Sequence, residues 1–192
     1  MVILDQPRPI GGVAIIFAMG AISIYLLMVT VTLAHLQEVS GSVPFDMRPF
    51  GYGPTDARIL LDALGAEGRT YYLKRQIPLD SLYPALLALT LMTAICWIGR
   101  RHPKSKLIRI GIIFALGGAV FDYAENLGIM VMILNWPNLS DPLVYGASTA
   151  TVVKSALTTF AVLLLIAVTV LEARRSMAGT AKRQTVKQGE NV

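Results

Sequence analysis

Long apolar runs separated by shorter polar stretches dominate this chain. Four of the runs, at about residues 11 to 34, 81 to 99, 108 to 134 and 144 to 171, approach or exceed the ~20 residues with which a helix crosses ~30 Å of hydrocarbon. The 192 residues are 54% hydrophobic and 15% charged, whereas soluble domains are about 25% charged. The pattern predicts an all-α integral membrane protein, with a bundle of four transmembrane helices that forms one domain over residues 1 to 175.

The first apolar run is predicted to be a retained helix rather than a cleaved secretory signal. It is longer than the ~7 to 15 residues of a signal core, and only Arg8 precedes it as a basic residue. It also lacks a small-residue cleavage pattern.

The distribution of basic residues predicts the orientation in the membrane. The connection after the third run, residues 135 to 145, has no lysine or arginine. Because basic residues favour the cytoplasmic side, both termini are expected there, and the long loop at residues 35 to 80 is expected outside. Short loops and compactness favour a bacterial plasma (inner) membrane. The basic residues in question are Arg100, Arg101, Lys104, Lys106 and Arg109 after the second run, and Arg174, Arg175, Lys182, Arg183 and Lys187 after the fourth.

This placement of basic residues also accounts for the net charge of +5, so no nucleic-acid partner is expected. Residues 176 to 192 are polar and basic without periodicity, and they are predicted to form a disordered cytoplasmic tail near lipid headgroups.

The outer loop is predicted to form a cap of two short helices. Thr55 is a suitable N-cap for the first of them, and Gly65 is a suitable C-cap. The second is expected from Ala66 to about Gln76, where Pro78 ends it, and Asp80 is then available as the N-cap of the second transmembrane helix.

Three ionisable residues lie inside the predicted transmembrane helices: Asp122 and Glu125 in the third, and Lys154 in the fourth. Each unpaired charge would cost ~2.5 to 3.5 kcal/mol at the bilayer centre. Helical rise places Asp122 and Lys154 at a similar depth, ~15 to 18 Å below the outer ends of their helices. We therefore predict that Asp122 pairs with Lys154, and that the surplus acid Glu125 faces a water-accessible pocket that opens outward.

Other polar residues are expected near this pocket. Asn126 lies four residues after Asp122, on the same helical face. Arg48 belongs to a loop segment with two aromatic residues and a glycine, which is expected above the pocket. The further candidates for its lining are Asp80, Tyr83 and Tyr123, with Thr151 and Thr158 near Lys154.

Several kinds of site are excluded by the residues present. A single cysteine, Cys96, allows neither an intramolecular disulfide nor a cysteine-based zinc site. The two histidines, His35 and His102, are predicted on opposite sides of the membrane, so no metal site is expected. No phosphate-binding loop or nucleophile elbow occurs either, and no cofactor is expected.

These observations leave four functions open. The leading one is binding of a membrane lipid or small amphipathic molecule in the pocket, with a partner subunit or a second copy left open. The second is proton-linked transport through Glu125 and Asp122. The third is a lipid- or isoprenoid-modifying enzyme that uses the two carboxyl groups as acid and base. In the fourth, the ion pair only fixes the register of the helices.

Overall fold

The computed structural model describes residues 10 to 102 and 104 to 189. In this part of the chain the fold is all-helical, with no β-strand. The long helices are α1 (Ile10–Ser40), α3 (Gly65–Ile98), α4 (Lys106–Leu134) and α5 (Asp141–Gly189), and a short helix, α2 (Pro54–Ala63), lies between α1 and α3 in the chain.

Each of the four long helices contains a stretch that is long and apolar enough to cross a membrane, and in α5 that stretch lies within Asp141–Arg175. The prediction of a multi-pass, all-helical membrane protein is confirmed at this level. Two 3₁₀ turns, Phe45–Met47 and Gly99–Arg101, lie in the connections.

Helix α2 begins two residues earlier than predicted. Its N-cap is Gly53, whose backbone N–H donates to Asp56 Oδ2 at 3.0 Å, and Pro54 occupies the first helical position. Thr55 is therefore not the N-cap, because proline is well suited to the first helical position and the helix starts before Thr55. At the other end, Gly65 has a φ of +61°, the left-handed conformation that separates α2 from α3.

The predicted second cap helix is not a separate element. It is the first part of α3, which continues through a π-helical turn at Tyr72–Gln76 into Ile77–Ile98. In that turn the Ile77 N–H donates to the Tyr72 carbonyl, five residues back. Pro78 follows directly and has no N–H, so it fits where the hydrogen-bond pattern changes instead of ending the helix.

As a consequence, Asp80 does not cap a helix. It lies inside α3 and is 3% exposed. Helix α1 has a π-helical turn of its own at Met28–Thr32, and the two turns contact each other.

The four long helices pack as a bundle in which α4 and α5 share the most extensive contact, α1 packs on α3, and α3 also contacts α4 and α5. Glycines allow the close approach of α4 and α5. A Cβ atom added at Gly118 would lie 2.7 Å from Thr158 Oγ1, and one added at Gly128 would lie 2.6 Å from Ala147 Cβ.

The segment between α1 and α3 packs against the four long helices. Its apolar side chains join those of all four long helices in the main core of the protein. Burial of apolar side chains holds this segment against the helices. The fully buried members with the largest side chains are Leu36, Phe45, Leu60, Leu61, Tyr72, Ile129 and Met132.

Helix α5 extends beyond its membrane-length stretch to Gly189. Residues 176 to 189 continue this helix, the disorder expected for the tail stays a prediction, and residues 190 to 192 lie outside the described part. Extension of an existing helix adds one hydrogen bond per residue without a new nucleation cost, and alanine, lysine, arginine and glutamine favour it.

Candidate functional site

A cavity of about 460 Å³ lies between the four long helices and the segment that follows α1. Its charged lining comes from three elements of the bundle and from the loop: Asp80 on α3, Asp122 on α4, Lys154 on α5 and Asp46 in the 3₁₀ turn. The cavity therefore collects residues that are far apart in the chain.

Lys154 contacts both acids of α4. Its Nζ atom lies 2.8 Å from Asp122 Oδ1, and it also contacts Glu125 Oε2. Both carboxyl groups are buried, and the lysine side chain is 13% exposed. One cation is thus shared by two anions from the neighbouring helix.

Glu125 does not face the cavity, contrary to the prediction. It is 0% exposed, and its Oε1 atom accepts a hydrogen bond from Thr151 Oγ1 at 2.6 Å. Three positions along the helix, Glu125 points in a different direction around the helix axis from Asp122. Its long side chain therefore reaches Lys154 without lining the cavity. The carboxyl group that the cavity exposes beside Lys154 is that of Asp122.

Asp80 and Asn126 lie side by side between α3 and α4. Asn126 Nδ2 donates to the backbone carbonyl of Asp80 at 2.9 Å, and both side chains are buried. Among the described residues no partner contacts Asp80 Oδ2, although this atom is fully buried.

The remaining sequence candidates divide between the cavity and its surroundings. Asp80, Tyr83 and Thr158 line the cavity. Tyr123 does not: its hydroxyl donates to the Ser81 carbonyl at 2.9 Å on a more exposed side of the bundle. The direction of each side chain depends on how its helix is rotated in the bundle, and spacing along the chain does not fix that rotation.

Asp46 is the functional candidate that the sequence did not reveal. It lies in the loop after α1, lines the cavity, and accepts a hydrogen bond from the hydroxyl of the fully buried Tyr72. Its other oxygen, Oδ1, has no partner in the described part of the chain. Asp46 and Asp80 both line the cavity. An acid in a polar loop carries no local signal of burial, so only the fold identifies it.

The two π-helical turns fix the wall of the site from which Tyr72 extends. Thr32 Oγ1 donates to Gln76 Oε1 at 2.5 Å, and Gln76 Nε2 lies 3.6 Å from Met28 Sδ. These contacts join α1 to α3 next to the cavity. Short π-helical segments are frequent at functional sites, and neither of them was predicted from the sequence.

Part of the cavity lining is apolar and aromatic. Tyr25 on α1 and Tyr83 on α3 face each other with ring centroids 5.7 Å apart, and both line the cavity. Next to them the lining consists of aliphatic side chains, Met28, Val29, Leu33 and Leu87. The cavity lining therefore combines charged residues with apolar and aromatic ones.

The loop over the cavity is anchored by its glycine and tyrosine. Gly51 has a φ of +86°, and a Cβ atom there would lie 2.5 Å from Ser148 Oγ on α5. The Tyr52 backbone N–H donates to the same Ser148 oxygen at 2.8 Å. Burial raises the pKa of Tyr52 above its ordinary value, and the nearby negative charge of Glu125 raises it further, so this side chain stays neutral.

Arg48 does not line the cavity. Its Nε atom donates to the Val43 carbonyl at 2.9 Å within the loop. Among the ion pairs of the described residues there is none between Arg48 and Asp46, although the neighbours Met47 and Pro49 line the cavity.

The chemistry of the site is that of carboxyl groups and one amine. Within residues 10 to 102 and 104 to 189, no group of three or more histidine, cysteine, aspartate or glutamate residues is arranged to hold a metal ion. Three carboxyl groups face one lysine that is already paired, which gives the cavity an excess of hydrogen-bond acceptors. No protein family, curated protein or solved structure matches this chain.

Proposed function

We propose that this protein binds a lipid or another small amphipathic molecule in the cavity between its four long helices. The observation that carries this proposal is that the cavity lining combines charged side chains, Asp46, Asp80, Asp122 and Lys154, with apolar and aromatic ones. Its volume of about 460 Å³ lies within the ~300 to 1,000 Å³ typical of small-molecule sites. Such a surface is complementary to a ligand with one polar and one apolar end.

In this proposal the cavity opens on the outer side of a bacterial plasma membrane, and both termini are cytoplasmic. The support is the distribution of basic residues. They cluster in the connection between α3 and α4, and again at Arg174 and Arg175, where the membrane-length stretch of α5 ends. Such clusters are typical of the cytoplasmic side. A partner subunit or a second copy of the chain is compatible with this arrangement.

Native mass spectrometry of the full chain in nanodiscs tests this proposal. We expect a retained small molecule on the wild-type protein. The substitution Leu87→Trp, which fills the cavity, should remove it. The matched control is Leu89→Trp, two residues along the same helix at a position outside the cavity lining. A bound molecule that persists in Leu87→Trp, or no bound molecule on any variant, contradicts the proposal.

Proton-linked transport is the second candidate, and the position of Lys154 between Asp122 and Glu125 favours it. A proton that neutralises one acid would leave the lysine paired with the other. Proton flux into liposomes should then be lost in Glu125→Gln and kept in Glu38→Gln, an exposed acid of α1. Equal flux in the two variants contradicts this candidate. The enzymatic alternative has less support, because Glu125 does not line the cavity beside Asp122.

A further inference from the structure

Two carboxyl oxygens at the cavity lack a hydrogen-bond donor within the described part of the chain. They are Asp80 Oδ2 and Asp46 Oδ1, and both atoms are buried. Asp80 is 3% exposed and lines the cavity, so its free oxygen has little access to bulk water. Buried acceptors without a donor cost free energy, and a bound donor would offset that cost.

No side chain in the described part of the chain donates to either oxygen, although the hydroxyls of Tyr25, Tyr83 and Thr158 also line the cavity. Lys154 is occupied by Asp122 and Glu125. The hydroxyls of Ser155 and Thr159 donate to backbone carbonyls of α5, at 2.8 and 2.7 Å, so their oxygens also present acceptor lone pairs to the cavity. The site is therefore rich in acceptors and negative charge.

The tyrosine pair is a second feature of the cavity that favours a cation. Tyr25 and Tyr83 line the cavity, with ring centroids 5.7 Å apart. The faces of aromatic rings attract cations, and quaternary ammonium groups are commonly bound in this way. Carboxylates and tyrosine rings together are complementary to an organic cation.

We infer that the amphipathic ligand carries an amine or ammonium group, which lies beside Asp46 and Asp80 while its apolar part contacts Val29, Leu33 and Leu87. This inference rests on the proposed function and names the chemical class of the ligand. The alternative occupant of the two free oxygens is a proton shared between Asp46 and Asp80, which would leave the cavity without a preference for cations.

A series of eight-carbon compounds separates these two cases. Octylamine, octanol and octanoate are titrated by calorimetry into the full chain in dodecyl maltoside. We expect the affinity for octylamine to be at least about 10-fold higher than that for octanol, because a hydrogen bond to a charged group contributes ~1.5 to 3 kcal/mol. Octanoate should bind most weakly. This comparison within the wild-type protein does not depend on the folding of any variant.

Two variants and a control locate the effect. Asp80→Asn and Asp46→Asn should each weaken octylamine binding about 10-fold and leave octanol binding unchanged. Asp62→Asn removes the same charge from an exposed position of α2 and should change neither. Because all variants are measured in the same micelles, partition of a probe into detergent affects each variant equally and cancels when its affinities for the variants are compared.

The outcomes distinguish the inference from the proposed function. Equal affinity of the wild-type protein for octylamine and octanol overturns the inference and leaves amphipathic binding in place. Unchanged octylamine affinity in both aspartate variants overturns it as well. If no probe binds and no molecule is retained in native mass spectrometry, the proposed function itself fails.

The amine can come from a lipid headgroup or from a free metabolite. Competition with water-soluble dihexanoyl phosphatidylethanolamine, compared with dihexanoyl phosphatidylglycerol, separates these sources. Displacement of octylamine by the first lipid alone supports a lipid amine. Displacement by neither, with octylamine binding intact, supports a free amine.

Discussion

Lys154 on α5 lies between two carboxyl groups of α4: its Nζ atom is 2.8 Å from Asp122 Oδ1 and also contacts Glu125 Oε2. A single cation thus connects the cavity, through Asp122, to a fully enclosed acid, Glu125. The stability of the α4 and α5 pair and the charge of the site depend on the same side chain.

Removal of this cation should destabilise the protein strongly. Lys154→Met leaves two buried acids without a counter-charge, and breaking a buried pair in this way costs about 3 to 5 kcal/mol. The change is measured as the free energy of unfolding in mixed micelles. Lys74→Met, at an exposed position of α3, is the control.

Two further variants complete this test, because recovery of the lost stability should require changes at both acids. The double variant Lys154→Met/Asp122→Leu still contains a buried, unpaired Glu125. The triple variant that adds Glu125→Leu is expected to recover most of the loss. Equal stability of the double and triple variants would show that burial of Glu125 costs no free energy when the lysine is absent.

The hydrogen bond from Thr151 should contribute separately. Thr151→Val keeps the shape of the side chain and removes the donor to Glu125 Oε1, so we expect a loss of about 1 to 3 kcal/mol in the free energy of unfolding. Thr151→Ser retains the hydroxyl and is the matched control. A valine variant as stable as the serine variant would contradict this role.

The loop should loosen when Asp46 loses its donor. Tyr72→Phe removes the hydroxyl that contacts Asp46 and leaves the buried ring in place. We expect faster hydrogen exchange of the backbone amides at residues 45 to 48, because this contact links the 3₁₀ turn to α3. Tyr145→Phe, at an exposed position of α5, should leave exchange in that segment unchanged.

Close packing of α4 on α5 should make one glycine intolerant of alanine. A Cβ atom at Gly128 would lie 2.6 Å from Ala147 Cβ and 3.3 Å from Ala147 Cα, so the backbones must separate. Gly128→Ala is expected to cost about 1 to 3 kcal/mol in the free energy of unfolding. Gly146→Ala adds the same methyl group where no atom lies within 4 Å, and it should have a much smaller effect.

The proposed orientation predicts a labelling pattern in intact cells. In a Cys96→Ser background, Glu67→Cys should react with a membrane-impermeant maleimide, whereas Lys104→Cys should react only after the membrane is permeabilised. Both positions are exposed on the protein. The opposite pattern would contradict the orientation inferred from the basic residues.

Membrane class and helix number could be predicted from the sequence because they depend on local composition. A run of about 20 apolar residues is enough for one crossing, whatever its neighbours are. The start of α3 was harder to predict from the sequence. It lies at Gly65 rather than near residue 81, because a π-helical turn accommodates Pro78, and a change of hydrogen-bond register leaves no clear signal in composition.

The sequence by itself identified Asp122, Glu125 and Lys154 as unusual, because charges in apolar helices are costly wherever those helices pack. Only the tertiary structure decided that Lys154 contacts both acids, that Glu125 is enclosed, and that Asp46 joins Asp80 at the cavity. The physical reason is that these contacts depend on helix rotation and on the path of a loop. Both are set by the packing of side chains distant in the chain, and residue spacing within one helix does not contain that information.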